Sequence, residues 1–388
     1  MVERHGALED MDLIGQFGGV YASRRVLLTG HTGFKGSWLA LWLRELGARV
    51  HGAALDPDTE PAHWSALALR DVADHRVDVG DAKALAGVIG DARPEVVFHL
   101  AAQPLVRRGY REAQWTFATN VMGVVNLLEA VRATPSVRAV VVVTTDKVYA
   151  DDGRGRPYAE ADRLGGHDPY AASKACAELV VDCYRRSFFS ATGAARVVTA
   201  RSGNVIGGGD WSEDRLVPDC VRAVGSGAPV LLRYPDSIRP WQHVLDALSG
   251  YLLLGAAVLQ SQPPASEAFN FGPQSNDSMS VRQLVTRLQL AWPALKVGSD
   301  PAAKALGETA VLRLESGRAE RELGWRPVWS TEQALERTVG WYAHFLSDGS
   351  LASLDDLHAY TRDARSNGVS WASADHHELP GAARAGHG

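Results

Sequence analysis

The sequence has little cysteine, no long hydrophobic run and no excess of one charge. Its 388 residues include only three cysteines, Cys176, Cys183 and Cys220. These have neither C-x-x-C spacing nor adjacent histidines, so the sequence indicates neither a disulfide framework nor a zinc site. We expect three reduced thiols and no bound metal.

No stretch approaches the roughly 20 consecutive apolar residues that cross a bilayer. The first 16 residues carry Glu3, Arg4, Glu9 and Asp10 but no apolar segment of a signal peptide. Forty basic and 45 acidic residues leave a formal net charge of −5, without a block of five like charges. Such a balance argues against a nucleic-acid or membrane partner. The sequence therefore predicts a cytoplasmic protein.

The composition is that of a folded protein. Hydrophobic residues make up 46% and charged residues 22% of the chain, which excludes the disordered, collagen-like and coiled-coil classes. At about 150 residues per domain, the length predicts two to three domains, or one large α/β unit with a small lobe.

Short apolar runs alternate with helical patterns in the first half of the chain. The runs occupy residues 25–29, 49–55, 95–100 and 138–144, and the helical patterns include residues 34–46 and 115–133. Near-continuous apolar strands with helices between them are typical of a parallel sheet covered on both faces. The sequence therefore predicts an α/β fold with a doubly wound parallel sheet.

A glycine-rich turn, Gly30-His31-Thr32-Gly33-Phe34-Lys35-Gly36, follows the first predicted strand and opens the first helix. Glycines let the chain approach a pyrophosphate, whose charge is met by backbone N–H groups and the positive helix end. Because strand, turn and helix occur in this order, the pattern predicts a dinucleotide site of the Rossmann type. The expected contacts are Gly30, Thr32, Gly33, Phe34 and Lys35. Lys35 either contacts a phosphate or extends into water.

Three further segments fit the same cofactor. Asp56 ends the next strand 20 residues after Gly36, where a carboxylate holds the ribose 2′-hydroxyl of NAD, although Asp-Pro is also simple turn chemistry. Asp81 follows a presumed strand, where it would lie near the adenine. Small residues end the fourth strand at Ala101-Ala102-Gln103, where a nicotinamide would lie. Together these positions favour NAD over NADP.

Two stretches carry candidate catalytic residues. Thr144-Thr145-Asp146-Lys147 stands at the carboxyl end of a predicted strand, where open α/β sheets bind ligands. Tyr170 and Lys174 are four residues apart on a predicted helix and share a face. A cationic lysine beside a phenol favours the phenolate and gives the tyrosine useful strength as a general base. The alternative is a surface helix with an aromatic residue and a solvated lysine.

The regular alternation ends near Arg201, where turn-rich segments and three further helical patterns begin, at residues 244–257, 280–289 and 331–345. We predict an N-terminal extension (1–23) and a dinucleotide-binding domain with the catalytic residues (24–200). A smaller lobe (201–346) mainly binds substrate and is partly interleaved with the first domain. A tail (347–388) follows, with a mobile end.

These segments resemble the extended short-chain dehydrogenase/reductase superfamily, and within it the CDP-glucose 4,6-dehydratases. The resemblance covers about residues 25–342. It rests on GHTGFKGSW (30–38), HLAAQPLVR (99–107), TNVMG (119–123), TDKVY (145–149), GGHDPYAASKACAELV (165–180), RSGNVIGGGDWSEDRLVPD (201–219) and RPWQHVLDALSGYL (239–252). The glycine turn and the last two stretches are typical of the dehydratase branch, whereas Tyr-x-x-x-Lys marks only the superfamily.

The resemblance implies a redox-neutral reaction of a nucleotide sugar with NAD as cofactor. Tyr170, helped by Lys174 and Thr145, would take the proton of the sugar 4-hydroxyl while hydride leaves C4; Tyr170 and Lys174 would also contact the cofactor. Asp146 would protonate the departing 6-hydroxyl. Lys147 would act on the C5 proton, either as a base or as an electrostatic aid. Return of hydride to C6 would give a 4-keto-6-deoxy sugar.

The resemblance also implies CDP-glucose as the substrate. The contacts carried over are Arg107, Asn204, Leu216, Val217 and Arg239. Arg239 would hold the diphosphate, a task suited to a planar bidentate cation, or would form a structural salt bridge instead. Gly307-Glu308-Thr309 departs from the His-Glu-Ala expected in the family, which puts a substrate contact from that loop in doubt.

Three other functions stay open. A nucleotide-sugar 4-epimerase shares C4 oxidation but needs no acid for a 6-hydroxyl, so Asp146 and Lys147 favour dehydration. A dehydratase of a different nucleotide sugar would use the same residues. A catalytically silent dinucleotide-binding regulator would not need Thr145, Asp146, Tyr170 and Lys174 together.

Relatives pair as homodimers through the helices that follow Trp115 and Tyr170. In this sequence these helices carry Leu127, Leu128, Val131, Leu179 and Val180. Such apolar side chains either pack on the protein's own sheet or contact a second copy. We expect a homodimer.

Overall fold

The computed structural model of the chain describes residues 13–260, 264–274, 277–299 and 309–373. The strands are β1 (Arg25–Thr29), β2 (Arg49–Ala54), β3 (Ala73–Arg76), β4 (Val96–His99), β5 (Ala139–Val143), β6 (Arg196–Ser202), β7 (Val205–Ile206), β8 (Val230–Leu232), β9 (Ile238–Arg239), β10 (Gln242–His243), β11 (Ala268–Phe271), β12 (Met279–Ser280) and β13 (Val297–Ser299). The helices are α1 (Phe34–Glu45), α2 (His63–Leu67), α3 (Ala82–Ala92), α4 (Val106–Arg111), α5 (Ala113–Phe117), α6 (Gly123–Arg132), α7 (Pro169–Phe188), α8 (Leu216–Ser226), α9 (Val244–Leu259), α10 (Val281–Ala291), α11 (Gly317–Leu323), α12 (Thr331–Asp348) and α13 (Ser353–Ser366).

A seven-stranded sheet forms the centre of the structure, in the order β11-β6-β5-β4-β1-β2-β3. Every pairing in it is parallel. The chain runs outward from β1 to β3 and then returns to β4 on the other side of β1. The strand order therefore reverses between β1 and β4, which is where open α/β sheets bind ligands. The predicted doubly wound α/β fold is confirmed.

The sheet is buried on both faces because its central strands are apolar at every position. In β5, Ala139, Val141 and Val143 face one hydrophobic core, and Val140 and Val142 face the other. One core is closed by α1 and α9, and the other by α3, α6 and α7. Continuous Val-rich strands are therefore the pattern that this architecture needs.

Part of the segment predicted as a second lobe belongs to the central sheet. All 16 residues of α9 are buried, as expected for a helix that is hydrophobic all round. It packs against β5, β6 and α1, and β11 extends the sheet beside β6. Three two-stranded sheets, β7 with β10, β8 with β13 and β9 with β12, surround the edge where the central strands end.

Both terminal regions differ from the predicted extension and tail. Leu13, Phe17 and Tyr21 are buried in the main core, so the part of residues 1–23 that the structure describes is no separate extension. In the tail, α13 places Leu357 and Tyr360 fully inside the same core. Through these large apolar side chains, both terminal segments pack against the rest of the structure. The expected mobile end, from residue 374, lies outside the described residues.

One predicted helix is divided into three pieces. The pattern at residues 115–133 contains α5, a π-helical turn at Ala118–Met122 and α6. Within the described ranges, no helix has the length and apolar character needed to cross a membrane.

The free energy of unfolding depends on pH through the buried side chain of His243. Its ring lies between Trp38 and Trp329, and its Nδ1 accepts a hydrogen bond from the backbone N–H of Leu245 at the start of α9. Burial lowers the pKa of His243 to about 3. An unfolded histidine titrates near 6.5, so between these two values the unfolded chain binds a proton that the folded chain does not. Stability therefore falls as the pH falls below about 6.5.

The substitution His243→Asn removes this titration and keeps a side-chain acceptor for the helix end. We expect the unfolding free energy of the wild type to fall, relative to the variant, by about 1 kcal/mol per pH unit below about 6.5. Urea unfolding followed by circular dichroism at several pH values measures the difference. The same substitution at His344, whose ring is exposed, controls for the loss of one imidazole. Parallel stability curves for the wild type and His243→Asn would contradict the prediction.

Candidate active site

A cavity of about 1120 Å³ opens at the carboxyl ends of β1, β4 and β5. Its walls come from the glycine turn on one side and from residues 202–241 on the other. Every residue that the sequence analysis proposes for catalysis, cofactor binding or substrate binding borders this cavity, except Asp81. The fold therefore brings together residues that are up to 209 positions apart, from Gly30 to Arg239.

The glycine turn leaves no room for side chains. Gly30 has a φ of +75°, and a Cβ added there would lie 2.6 Å from the backbone nitrogen of Ala101. A Cβ on Gly36 would lie 2.0 Å from the carbonyl oxygen of Gly30. The turn is thus packed between the end of β4 and the first turn of α1, and Phe34, Lys35 and Gly36 of that helix line the cavity. This cradle fits a pyrophosphate such as that of NAD.

The two basic side chains of the turn, His31 and Lys35, form hydrogen bonds inside the protein. The buried His31 places Nε2 2.9 Å from Asp74 Oδ1, which ties the turn to β3. Lys35 Nζ donates to Ser202 Oγ at 3.0 Å and to Tyr251 Oη at 3.3 Å. Burial lowers the pKa of Lys35 to about 7. Of the two alternatives for Lys35, extension into water is therefore wrong, and its side chain connects the turn to β6 and α9.

Two predicted adenosine contacts have different positions. Asp56 borders the cavity with a largely exposed carboxylate, 3.5 Å from Arg76 Nε. Asp81 does not reach the cavity, because its carboxylate caps α3 and accepts the backbone N–H groups of Lys83 and Ala84. An aspartate at a helix N-terminus satisfies otherwise unpaired donors. Its place at the cavity wall is taken by Asp78 and Val79.

The end of β4 is held by buried hydrogen bonds. The backbone N–H of Ala101 donates to Thr29 Oγ1 at 3.2 Å. The backbone N–H of Gln103 donates to Asn120 Oδ1 at 2.8 Å, and its side-chain amide donates to Thr116. These bonds fix the predicted nicotinamide segment, Ala101 to Gln103, against the helices behind it.

The candidate catalytic residues form one hydrogen-bonded cluster. Thr145 precedes a single helical turn, Asp146–Val148, directly after β5, and its hydroxyl donates to Asp146 Oδ1 at 3.0 Å. The phenol of Tyr170, in the first turn of α7, lies close enough to this hydroxyl for Thr145 to lower its pKa. Lys174 Nζ, one turn further along α7, donates to the carbonyl of Val143 at 2.8 Å. Thr145 therefore lies beside both Tyr170 and Asp146.

Burial sets the proton affinity of each group in the cluster. It raises the pKa of Tyr170 to about 12, while the Thr145 hydrogen bond and the Arg215 guanidinium act in the opposite direction. It lowers the pKa of Lys174 to about 8, against the charge of Glu178. It also raises the pKa of Asp146, although Lys147 and other nearby cations oppose this. A buried carboxyl with a raised pKa is suited to donate a proton.

The substrate-side residues lie on the wall opposite the glycine turn. Arg239 is buried, donates to the carbonyl of Ile238 at 2.8 Å, and lowers the pKa of Asp146 through its charge. Asn204 accepts the backbone N–H of Gln242 through its carbonyl. Leu216 and Val217 form the first turn of α8, which therefore opens toward the cavity.

Sequence reasoning missed a set of ion pairs at the cavity wall. Arg107 Nη1 and Arg233 Nη1 each lie 3.1 Å from the same oxygen, Asp214 Oδ1. Arg215, the next residue, lies close enough to lower the pKa of Tyr170. The signal that could have found them is DWSEDR, residues 210–215, in which three acidic residues precede an arginine. Thr309 also borders the cavity, whereas residues 307 and 308 lie outside the described residues.

Over residues 26–272, the sequence matches the model of the NAD dependent epimerase/dehydratase family. It is 42% identical, over 332 residues, to the CDP-glucose 4,6-dehydratase of Salmonella typhimurium, an alignment that covers 83% of this chain and 91% of that protein. The chain belongs to the NAD dependent epimerase/dehydratase family.

More distant members of this family are also similar. The dTDP-glucose 4,6-dehydratase of Neisseria meningitidis serogroup B is 28% identical over 346 residues, covering 82% of this chain and 93% of that protein. The crystal structure of a dTDP-glucose 4,6-dehydratase from Streptomyces venezuelae, with NAD bound, superposes with a TM-score of 0.68. That structure is 26% identical and covers 82% of this chain and 97% of its own.

Family membership and geometry agree on the cofactor. The family uses NAD, and the tight glycine cradle fits its pyrophosphate, while Asp56 borders the same cavity. Among the described residues, no group of three or more His, Cys, Asp or Glu side chains is placed to hold a metal ion.

Gly36→Ala tests the cradle. The added methyl would meet the Gly30 carbonyl and force the turn to shift, which costs about 1–3 kcal/mol. We therefore expect NAD binding to weaken by about 10- to 100-fold, measured by isothermal titration calorimetry. Gly87→Ala, in α3 where an added Cβ meets nothing within 4 Å, is the matched control. Equal NAD affinity in the wild type and Gly36→Ala would show that the cofactor does not use this turn.

Proposed function

We propose that the protein is a nucleotide-sugar 4,6-dehydratase that converts CDP-D-glucose into CDP-4-dehydro-6-deoxy-D-glucose. The observation that carries this proposal is the cluster of buried Thr145, Asp146 and Tyr170 with Lys147 at its edge, which offers a base and an acid at one place in the cavity. The 42% identity to the Salmonella CDP-glucose 4,6-dehydratase, over 83% of this chain, supports the same proposal.

NAD, when bound, accepts a hydride from C4 of the sugar and later supplies it to C6. Tyr170 takes the proton of the 4-hydroxyl as C4 becomes a ketone. Lys174 holds the carboxyl end of β5 through the Val143 carbonyl and places a cation near the reacting atoms. The ketone acidifies the C5 hydrogen, so that a hydroxyl can leave from C6.

Asp146 is placed to protonate this leaving group. One of its oxygens, Oδ1, accepts the Thr145 hydroxyl, whereas Oδ2 is buried and has no hydrogen-bond partner among the described residues. A Cβ on Gly203 would lie only 3.2 Å from Oδ2, so Gly203 packs closely against this oxygen. The sugar 6-hydroxyl would reach the carboxyl from the cavity, which Asp146 borders.

Lys147 borders the cavity next to this acid and acts on C5. The positive charge of Lys147 lowers the pKa of Asp146 and so opposes the effect of burial. The ammonium group therefore lies close to the carboxyl. Lys147 either takes the C5 proton as a base or stabilises the enolate that forms when the proton leaves. An epimerase needs neither an acid nor this cation at C6 and C5.

The anionic part of the substrate has a cationic wall to bind. Arg239, Arg107 and Arg233 border the cavity, and the N-terminus of α8 adds backbone N–H groups. Guanidinium groups and helix N-termini both bind phosphate oxygens well. We assign the diphosphate to this wall and the sugar to the space between Asp146 and the glycine turn.

The protein also forms a homodimer in this proposal. Leu127, Leu128 and Val131 are buried in the chain's own core. Exposed apolar side chains nevertheless remain on the π-helical turn and on α7, which pack together: Met122 is 51% exposed and Leu179 is 60% exposed. A second copy would cover this face.

The first test of the activity is incubation of the purified protein with CDP-glucose and NAD. We expect mass spectrometry to show the loss of one water, with no net accumulation of reduced cofactor. Turnover without added NAD would show that the cofactor is already bound. Tyr170→Phe should abolish every step, whereas Asp146→Asn should still oxidise C4 but lose elimination. A sugar inverted at C4 without loss of water would instead identify a 4-epimerase.

The dimer is tested by sedimentation velocity. We expect the wild type to sediment at twice the chain mass of 41.8 kDa, and Leu179→Glu to shift toward the monomer because a buried charge disfavours the interface. Leu290→Glu, at a residue that is 76% exposed on α10, is the matched control. A monomeric wild type at micromolar concentration would refute the dimer.

A further inference from the structure

Two loops border the cavity from opposite walls. The first, residues 55–62, follows β2, and Thr32 of the glycine turn holds it by donating from Oγ1 to the carbonyl of Leu55 at 3.0 Å. The second, residues 210–215, leads into α8 on the substrate side. Both loops contribute residues to the cavity lining. Any contact that joins the two loops therefore connects the cofactor wall with the substrate wall.

The side chain of Arg108, on α4, makes this connection. Its Nη1 donates to Asp58 Oδ2 of the first loop at 2.6 Å, and its Nη2 donates to Glu213 Oε1 of the second loop at 3.2 Å. Arg111 also donates to Glu213 Oε1, at 2.8 Å. A guanidinium group presents several donors in fixed directions, so one side chain can hold two carboxylates. We refer to Asp58, Arg108 and Glu213 as the bridge.

Helix α4 gives the bridge a fixed support. It packs against α5 and α7, and a Cβ added to Gly109 would lie 3.3 Å from the backbone nitrogen of Tyr170. The second loop depends on this helix. Its Asp214 has a φ of +59°, a conformation that a residue with a Cβ keeps where its surroundings hold it. Arg107 of α4 supplies one such contact, since its Nη1 donates to Asp214 Oδ1 at 3.1 Å.

The bridge lies where water can compete with it. The carboxylates of Asp58 and Glu213 are exposed, whereas the Arg108 side chain is 18% exposed. Exposed ion pairs favour the joined state by only about 1.5- to 5-fold each, because both partners are well hydrated when apart and salt screens their attraction. The bridge is therefore closed in most molecules but opens readily. Asp58 and Arg108 also border the cavity, so opening widens its access to solvent.

We propose that Arg108 is a positioning residue that closes the cofactor half of the cavity by joining Asp58 to Glu213, and that opening of this bridge controls exchange of the cofactor with solution. The bridge is already formed in the chain alone, so it restricts entry as well as exit. The closure concerns the NAD site and needs no assignment of the substrate. Its use, to retain the reduced cofactor until hydride returns to the sugar, rests on the proposed function.

The experiment measures exchange of NADH in the absence of a sugar substrate. Protein loaded with NADH is mixed with excess NAD in a stopped-flow instrument, and the change in NADH fluorescence gives the dissociation rate. Mixing NADH with free protein gives the association rate. In Arg108→Gln, which removes both ion pairs, we expect both rates to rise by about 2- to 30-fold. Because a gate acts equally on entry and exit, Kd should stay within about 2-fold of the wild-type value.

Two acidic variants separate a closure from a direct contact between Arg108 and the cofactor. Asp58→Asn and Glu213→Gln keep the arginine and its charge, and each should raise both rates by about 1.5- to 5-fold. Asp58→Asn should have no further effect when Arg108→Gln is already present, because the two residues act through one contact. The matched control is Arg287→Gln, which breaks an exposed ion pair with Glu332; neither residue borders the cavity.

Salt is a further readout, because screening opens an exposed bridge without any substitution. As the KCl concentration rises from about 0.05 M to about 0.5 M, the dissociation rates of the wild type and Arg108→Gln should approach each other. The closure is overturned if Arg108→Gln exchanges NADH at wild-type rates. It is equally overturned if this variant raises Kd at a constant association rate, since Arg108 would then bind the cofactor itself. Failure of the proposed function gives a different result, namely no dehydrated product with NADH exchange unaffected.

Discussion

The close approach of β1, β4 and α1 at the glycine turn is the contact on which the site depends. Parallel strands end at one edge of their sheet, so the space there is shared among several loops. At this edge the Gly30 and Gly36 positions approach neighbouring backbone within distances that no Cβ tolerates. The cofactor cradle exists because side chains are missing, and the rest of the cavity is arranged around it.

A second constraint operates behind the catalytic residues. Glu178, one turn after Lys174 on α7, is buried with Arg201 of β6, their side chains 2.8 Å apart. Glu178 also accepts hydrogen bonds from Thr144 and Thr199. A buried ion pair of this kind contributes little to the net free energy of folding, but it forms only when the two side chains meet in one particular geometry. It therefore holds α7, β5 and β6 in register, and with them Tyr170, Lys174 and Thr145.

The fold and most of the site were predictable because they depend on local patterns. The apolar run of β5 and the glycines at 30, 33 and 36 each carry a signal within a few residues. Asp81 was misplaced because an aspartate after a strand serves equally as a ligand contact and as a helix cap. The sequence left Lys35 between a phosphate contact and a position in water because its partners, Ser202 and Tyr251, are 167 and 216 residues away. The packing of the tail against the core was not predicted because α13 is polar on average and contacts the core through only a few buried side chains.

The position of α9 and β11 determines how this chain can be divided. The boundary near residue 200 separates two lobes along the sequence but not in space, because the later segment supplies both an edge strand and a cover for the first sheet. A fragment ending there would expose the apolar face of β5 and β6 to water. A chimaeric protein joined at that boundary would take the substrate-side residues and part of the hydrophobic core from the same parent protein. Substrate preference in this architecture is therefore inherited together with the packing of the dinucleotide-binding sheet, and an exchange of specificity must be confined to the loops that line the cavity.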